Sequence, residues 1–225
     1  LLINVDPIYL RQMKTGRKIE LVLAVVLALC SVTIIGYQFW ENQNYYYVLW
    51  YTNFASLTLA AATFWDHHGV SSAVAITSVI GEFMWVLDYI LYFFDLSFGR
   101  AAGVFYYPPL ITTASIIMHG LLLGLALYRV IRNGYSPDGL FYTVVIFVLL
   151  LTPASIFIAP FDTNVNCAHH PCDMTPGKAD ESEAYPSVYY YTYYTVYWIV
   201  GATLSHYAFK LVFSSINVLK LREHT

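Results

Sequence analysis

The sequence predicts an all-α fold: a polytopic membrane bundle of six transmembrane helices with both termini inside. Three observations carry that expectation, namely scarce charge, six apolar windows of bilayer length and a one-sided distribution of basic residues. Of the 225 residues, 58% are hydrophobic and only 11% are charged, with a mean hydropathy of +0.56. An average soluble domain carries roughly 25% charged residues, so this chain lacks the charge to cover a water-facing surface. A net charge of −3 with only 11 Lys and Arg residues argues against nucleic acid as a partner, since that binding needs a basic surface to displace counterions. Membrane lipids are the expected surroundings of an integral multi-pass protein.

A hydrocarbon core about 30 Å thick requires roughly 20 apolar helical residues per crossing. Windows 21–40, 46–65, 72–94, 110–130, 140–159 and 188–209 meet that demand. Helices are the expected spanning element, because runs such as Leu21–Leu29 do not alternate as barrel strands do. The first window lacks an Ala-x-Ala exit and reads as a span, not a cleaved signal. The short connections predict antiparallel neighbours within a single domain over 1–225. The long connection is an outer loop at 160–186. Arg11, Lys14, Arg17, Lys18, Arg129, Arg132, Lys210, Lys220 and Arg222 then fall on one side, leaving Arg100 and Lys178 on the other. By the positive-inside rule both ends are inside. Tyrosine clusters at Tyr45–Tyr47, Tyr106–Tyr107 and Tyr189–Tyr194 lie at the outer ends of spans, where aromatic belts form.

Cys30 lies mid-window and reads as a small apolar residue. Cys167 and Cys172 lie in the outer loop with His169, His170 and Pro171 between them. On an oxidising face they are expected to form a disulfide. The rival is a zinc site, but that needs four converging ligands, which adjacent histidines rarely supply, so no metal is assigned. His67 and His68 read as polar residues closing a tight turn beside Asp66.

Ionisable residues inside a span are costly and point to function. The sequence places Glu82 and Asp88 in the third window, His119 in the fourth and His206 in the sixth. At about 1.5 Å per residue, Thr52, Asp88 and His119 fall in one layer near the outer side, Glu82 falls deeper, and His206 lies near the inner face. Histidine is the usual base for a hydroxyl nucleophile, and a carboxylate on its other nitrogen fixes the tautomer. Asn53, Ser56 and Ser115 are the candidate donors to a developing oxyanion. Acyl transfer is the chemistry this layer suits, although polar groups also bond across helices merely to hold a bundle together.

The stretches Trp50-Tyr51-Thr52-Asn53-Phe54-Ala55-Ser56 and Ser115-Ile116-Ile117-Met118-His119-Gly120, with the six-span topology, resemble the androgen-induced and androgen-dependent family of six-span threonine hydrolases. That resemblance implies Thr52 as nucleophile, His119 as base, no cofactor, and fatty-acid esters as the substrate class. Two other readings stand beside it. One is a non-catalytic accessory subunit, with its aromatic surface contacting other subunits of a membrane complex. The other is a haem- or quinone-binding protein using His119 and His206, which the depth arithmetic makes awkward.

Overall fold

In the computed structural model, residues 7–42, 45–96, 105, 107–158 and 187–222 are described, and every regular element among them is helical. Helix α1 (Pro7–Asn42) is followed by a 3-10 turn (Tyr45–Leu49), then α2 (Tyr51–Phe64) and α3 (His68–Tyr92). Helix α4 (Pro109–Asn133) leads into α5 (Gly139–Thr143), a π-helical segment (Val144–Leu151) and α6 (Thr152–Phe157), which run on without a break. Helix α7 (Ser187–Arg222) closes the order. The loop carrying Cys167 and Cys172 lies outside the described residues.

Local chemistry sets these boundaries. Pro109 opens α4, where a missing N–H costs nothing, and Gly134 follows its end with a positive φ of 84°. Helix α2 stops at a tight turn in which Asp66 takes φ 54°. His67 then caps α3 by accepting from the Val70 N–H at 3.3 Å. The π segment precedes Pro153, which has no N–H to donate. The Thr152 N–H reaches back to the Phe147 carbonyl, and its hydroxyl donates to the same oxygen at 2.9 Å. That wide turn keeps the chain helical across the proline.

Helix α3 is central, packing against α2, α4, α5 and α7, while α1 packs on α2 and α4. Small residues at the crossings (Ala24, Ala55, Ala60, Ala73, Ala75 and Ala126) are fully or almost fully buried and let the backbones approach. The polarity is inverted relative to a soluble protein. Glu20, Asn53, Thr77, Glu82, Asp88 and Arg129 are buried, whereas Val22, Leu29, Leu110, Ile131, Leu149 and Leu204 are exposed. Among the described residues, three helical stretches are long and apolar enough to cross a membrane: Thr15–Glu41, Pro109–Asn133 and Gly139–Phe157. Helix α3 makes a fourth if its halves, bent by 44° between Val79 and Gly81, count as one span. These features are compatible with a membrane protein.

At one end of the bundle a charged clasp joins α1, the α2–α3 turn and α4. The Arg129 side chain is fully buried and donates to Ser71 Oγ at 2.9 Å, Glu20 Oε2 at 2.8 Å and Asp66 Oδ1 at 3.0 Å. Arg132 pairs with Glu20 Oε1 at 2.7 Å. Arg17 reaches both Glu20 and Asp66 at 3.3 Å and the Phe64 carbonyl at 3.2 Å. Burial pushes the Asp66 carboxyl up, but the Arg129 hydrogen bond and the charges of Arg17, Arg129 and His68 outweigh it and hold its pKa below the ordinary value.

Candidate functional site

Thr52 is the second residue of α2. Its hydroxyl donates to Glu82 Oε1 on α3 at 3.0 Å. The other oxygen of the same carboxylate, Oε2, meets His119 Nδ1 on α4 at 2.5 Å. Three helices therefore contribute one side chain each to a hydroxyl–carboxylate–imidazole cluster. Because both groups bond one carboxylate, Thr52 Oγ and His119 Nδ1 lie within about 8 Å of each other. Glu82 is buried, and only 12% of the His119 side chain is exposed.

The approach of α2 to α3 explains the bond from Thr52. Gly81, beside Glu82, presents only hydrogen to the Tyr51 ring; a Cβ there would lie 3.5 Å from it. The Tyr51 hydroxyl then donates to Thr77 Oγ at 2.8 Å and lies 3.2 Å from Ser78 Oγ. Consecutive residues of α2 are thus fixed to α3 about one turn apart. His119 is also held on its face: the Trp85 ring stacks on it with centroids 3.7 Å apart and planes 7° apart.

The carboxylate in this cluster is Glu82, where depth counting expects Asp88. Asp88 is fully buried, but it lies six residues further along α3. At about 100° per residue that points it into a different sector of the helix. The difference comes from where the helices begin and end. Residues 45–49 are spent on the 3-10 turn, so α2 proper starts at Tyr51, and α3 ends at Tyr92. Measured from those ends, Glu82 and His119 each lie ten residues in, along α3 and α4 respectively.

The proposed oxyanion donors separate in the same way. Asn53 is committed elsewhere: its amide donates to the Tyr47 carbonyl at 3.0 Å, and Ser31 donates to its backbone oxygen at 3.2 Å. Its work is to lock the 3-10 turn and α1 onto α2. Ser56 shares the face of α2 that carries Thr52. It is fully buried, and its hydroxyl has no hydrogen-bond partner among the described residues. Ser115 lies one turn before His119 on α4 and is half-buried. Sequence reasoning missed Trp85, whose ring stacks on His119 and which carries no motif.

His206 belongs to another place: its Nδ1 lies 2.5 Å from the hydroxyl of Tyr135, in the α4–α5 connection. The Nδ1 atoms of both histidines named as haem ligands are therefore engaged by other side chains. Among the described residues no group of three or more His, Cys, Asp or Glu side chains is arranged to hold a metal ion.

As a carboxylate, Glu82 accepts from the Thr52 hydroxyl, and in the Nδ1–H tautomer of His119 it accepts from that ring as well. The order is hydroxyl–carboxylate–imidazole, which differs from the serine-hydrolase order, where the imidazole stands in the middle. The group next to the hydroxyl is the carboxylate, and the imidazole holds that carboxylate from behind. No family model, curated protein or solved structure matches the chain.

Proposed function

We propose that the chain is a membrane-embedded acyl-ester hydrolase of six spans, both ends inside, acting on lipid-like esters with Thr52 as nucleophile. The observation that carries this reading is the single buried carboxylate, Glu82, shared by the Thr52 hydroxyl and the His119 ring. The resemblance of the Thr52 and His119 stretches to six-span threonine hydrolases supports it. So does the apolar exterior, which suits a substrate that arrives from lipid.

In this scheme Thr52 Oγ adds to the ester carbonyl while its proton passes to Glu82 Oε1. Collapse of the tetrahedral adduct expels the alcohol as an alkoxide, which takes that proton from Glu82. Water then attacks the acyl-threonine and gives a proton to Glu82 Oε1, the group beside Thr52 Oγ. Collapse of the second adduct releases the acid and returns that proton to Thr52 Oγ, so atoms and charge balance over the cycle. His119 holds the carboxylate through Nδ1 in both halves. Positioned proton transfer of this kind supplies roughly 10²–10⁴-fold in rate. The test is hydrolysis of fluorogenic long-chain esters by the purified protein in detergent. Thr52→Ala should abolish turnover with the melting temperature held, and His119→Ala should abolish it too, with a lower melting temperature because Glu82 loses its partner. Unchanged hydrolysis in Thr52→Ala would reject the reading.

A further inference from the structure

We propose that Trp85 is a positioning residue, fixing the plane of the His119 ring so that Nδ1 stays on the Glu82 carboxylate that takes the Thr52 proton. The inference rests on the hydrolase reading for its functional meaning, but the ring geometry stands by itself. A hydrogen bond at Nδ1 restrains one edge of an imidazole and leaves the ring free to swing about that bond. Glu82 supplies the edge restraint at 2.5 Å. A flat surface in contact with the ring face removes the remaining freedom. Trp85 supplies that surface, 3.7 Å from the His119 centroid and within 7° of parallel.

Both restraints come from one helix. Glu82 and Trp85 are three residues apart on α3, so they lie on one face of it. A shift of α3 therefore moves edge and face together and preserves the orientation of the ring. The indole is itself supported. Tyr89, one turn on, lies nearly parallel to it at 5.7 Å and 4°. Phe105 stacks on Tyr89 at 5.8 Å, and Tyr92 stacks on Phe105 at 4.7 Å. The His119 ring is thus one end of a column of aromatic rings anchored along the last turns of α3.

The experiment compares Trp85→Phe and Trp85→Leu in the full chain, with Trp85→Met as a second ring-free variant should Leu prevent folding. Two readouts are taken: steady-state kinetics, and the Nδ1–H resonance of His119 in ¹⁵N-histidine-labelled protein, assigned by its loss in Glu82→Gln. Small misplacements of a reacting group cost up to about a hundredfold. The ring-free variant should therefore lose roughly ten- to a hundredfold in kcat with little change in KM, and its resonance should broaden or vanish. Phe should rescue both. A ring-free variant that keeps either the wild-type kcat or the sharp resonance overturns the proposal. If the wild type hydrolyses no ester, the hydrolase reading fails separately. The resonance alone then decides: its loss without the indole ring supports the clamp, and its persistence refutes it.

Discussion

Glu82 and Asp88 are both buried carboxylates on α3, and it is Glu82 that lies between the Thr52 hydroxyl and the His119 imidazole. Replacing the wrong one is an informative control. Glu82→Gln keeps the shape but loses the charge, the base and one of the two acceptor oxygens, so kcat should fall by roughly 10²–10⁴-fold. Asp88→Asn should leave kcat within about tenfold, which the same ester assay measures. Thr52 and His119 stand out in the sequence as a hydroxyl and a histidine in apolar windows, but the expected contact of imidazole with hydroxyl is replaced by a shared bond to Glu82. The identity of the carboxylate was not legible. It depends on where each helix truly starts, and hydropathy cannot distinguish a 3-10 turn at 45–49 from the first turn of α2. Asn53 shows the same limit: its type suits an oxyanion donor, but the Tyr47 carbonyl and Ser31 already occupy it.

At the scale of elements, the clasp of Glu20, Asp66, Arg129 and Arg132 decides how α1, α4 and the α2–α3 turn meet. Sequence alone read Arg129 and Arg132 only as orientation charges, because the partners lie far along the chain, on other elements. Removing one member of a buried pair typically costs about 3–5 kcal/mol, since the other charge is left uncompensated. Glu20→Ala should destabilise by an amount of that order, read as a lowered thermal midpoint in detergent. Asp66 gives the clasp a pH limit. Its folded pKa lies below the ordinary value, so its contribution is fully present above the unfolded value of about 3.9 and is lost as pH falls through the folded one. Asp66→Asn should flatten the acid limb of the melting profile below about pH 4, and an unchanged limb would contradict that assignment. The crossing of α3 and α5 is tighter still. A Cβ on Gly139 would lie 2.8 Å from Ser72 Cβ and 3.2 Å from its backbone carbon. Gly139→Ala should therefore cost about 1–3 kcal/mol of stability, measured the same way.

Taken whole, the molecule buries a set of ionisable and polar side chains within an apolar core and exposes many large apolar ones, as the low charge content leads one to expect. Each of the six apolar windows overlaps a helix. The sequence was less able to say how much helix each window holds: α2 has only 14 residues, about 21 Å of α-helix, and the 3-10 turn ahead of it supplies the rest of that window. The proposed topology, six crossings with both ends inside, would put residues 160–186 on the outer side. After reduction, a membrane-impermeant maleimide should reach Cys167 and Cys172 from the outer side of sealed vesicles only. Labelling confined to the inner side would reverse the topology and leave the site facing the other leaflet.

The most direct measurement is covalent trapping of the nucleophile. The purified chain in detergent is treated with a fluorophosphonate probe of serine and threonine nucleophiles, and the modified peptide is located by mass spectrometry. One adduct per chain on Thr52, abolished in Thr52→Ala and strongly slowed in Glu82→Gln and His119→Ala, is the expected result. Absence of any adduct on the folded protein, or an adduct that survives in Thr52→Ala, would contradict a threonine hydrolase.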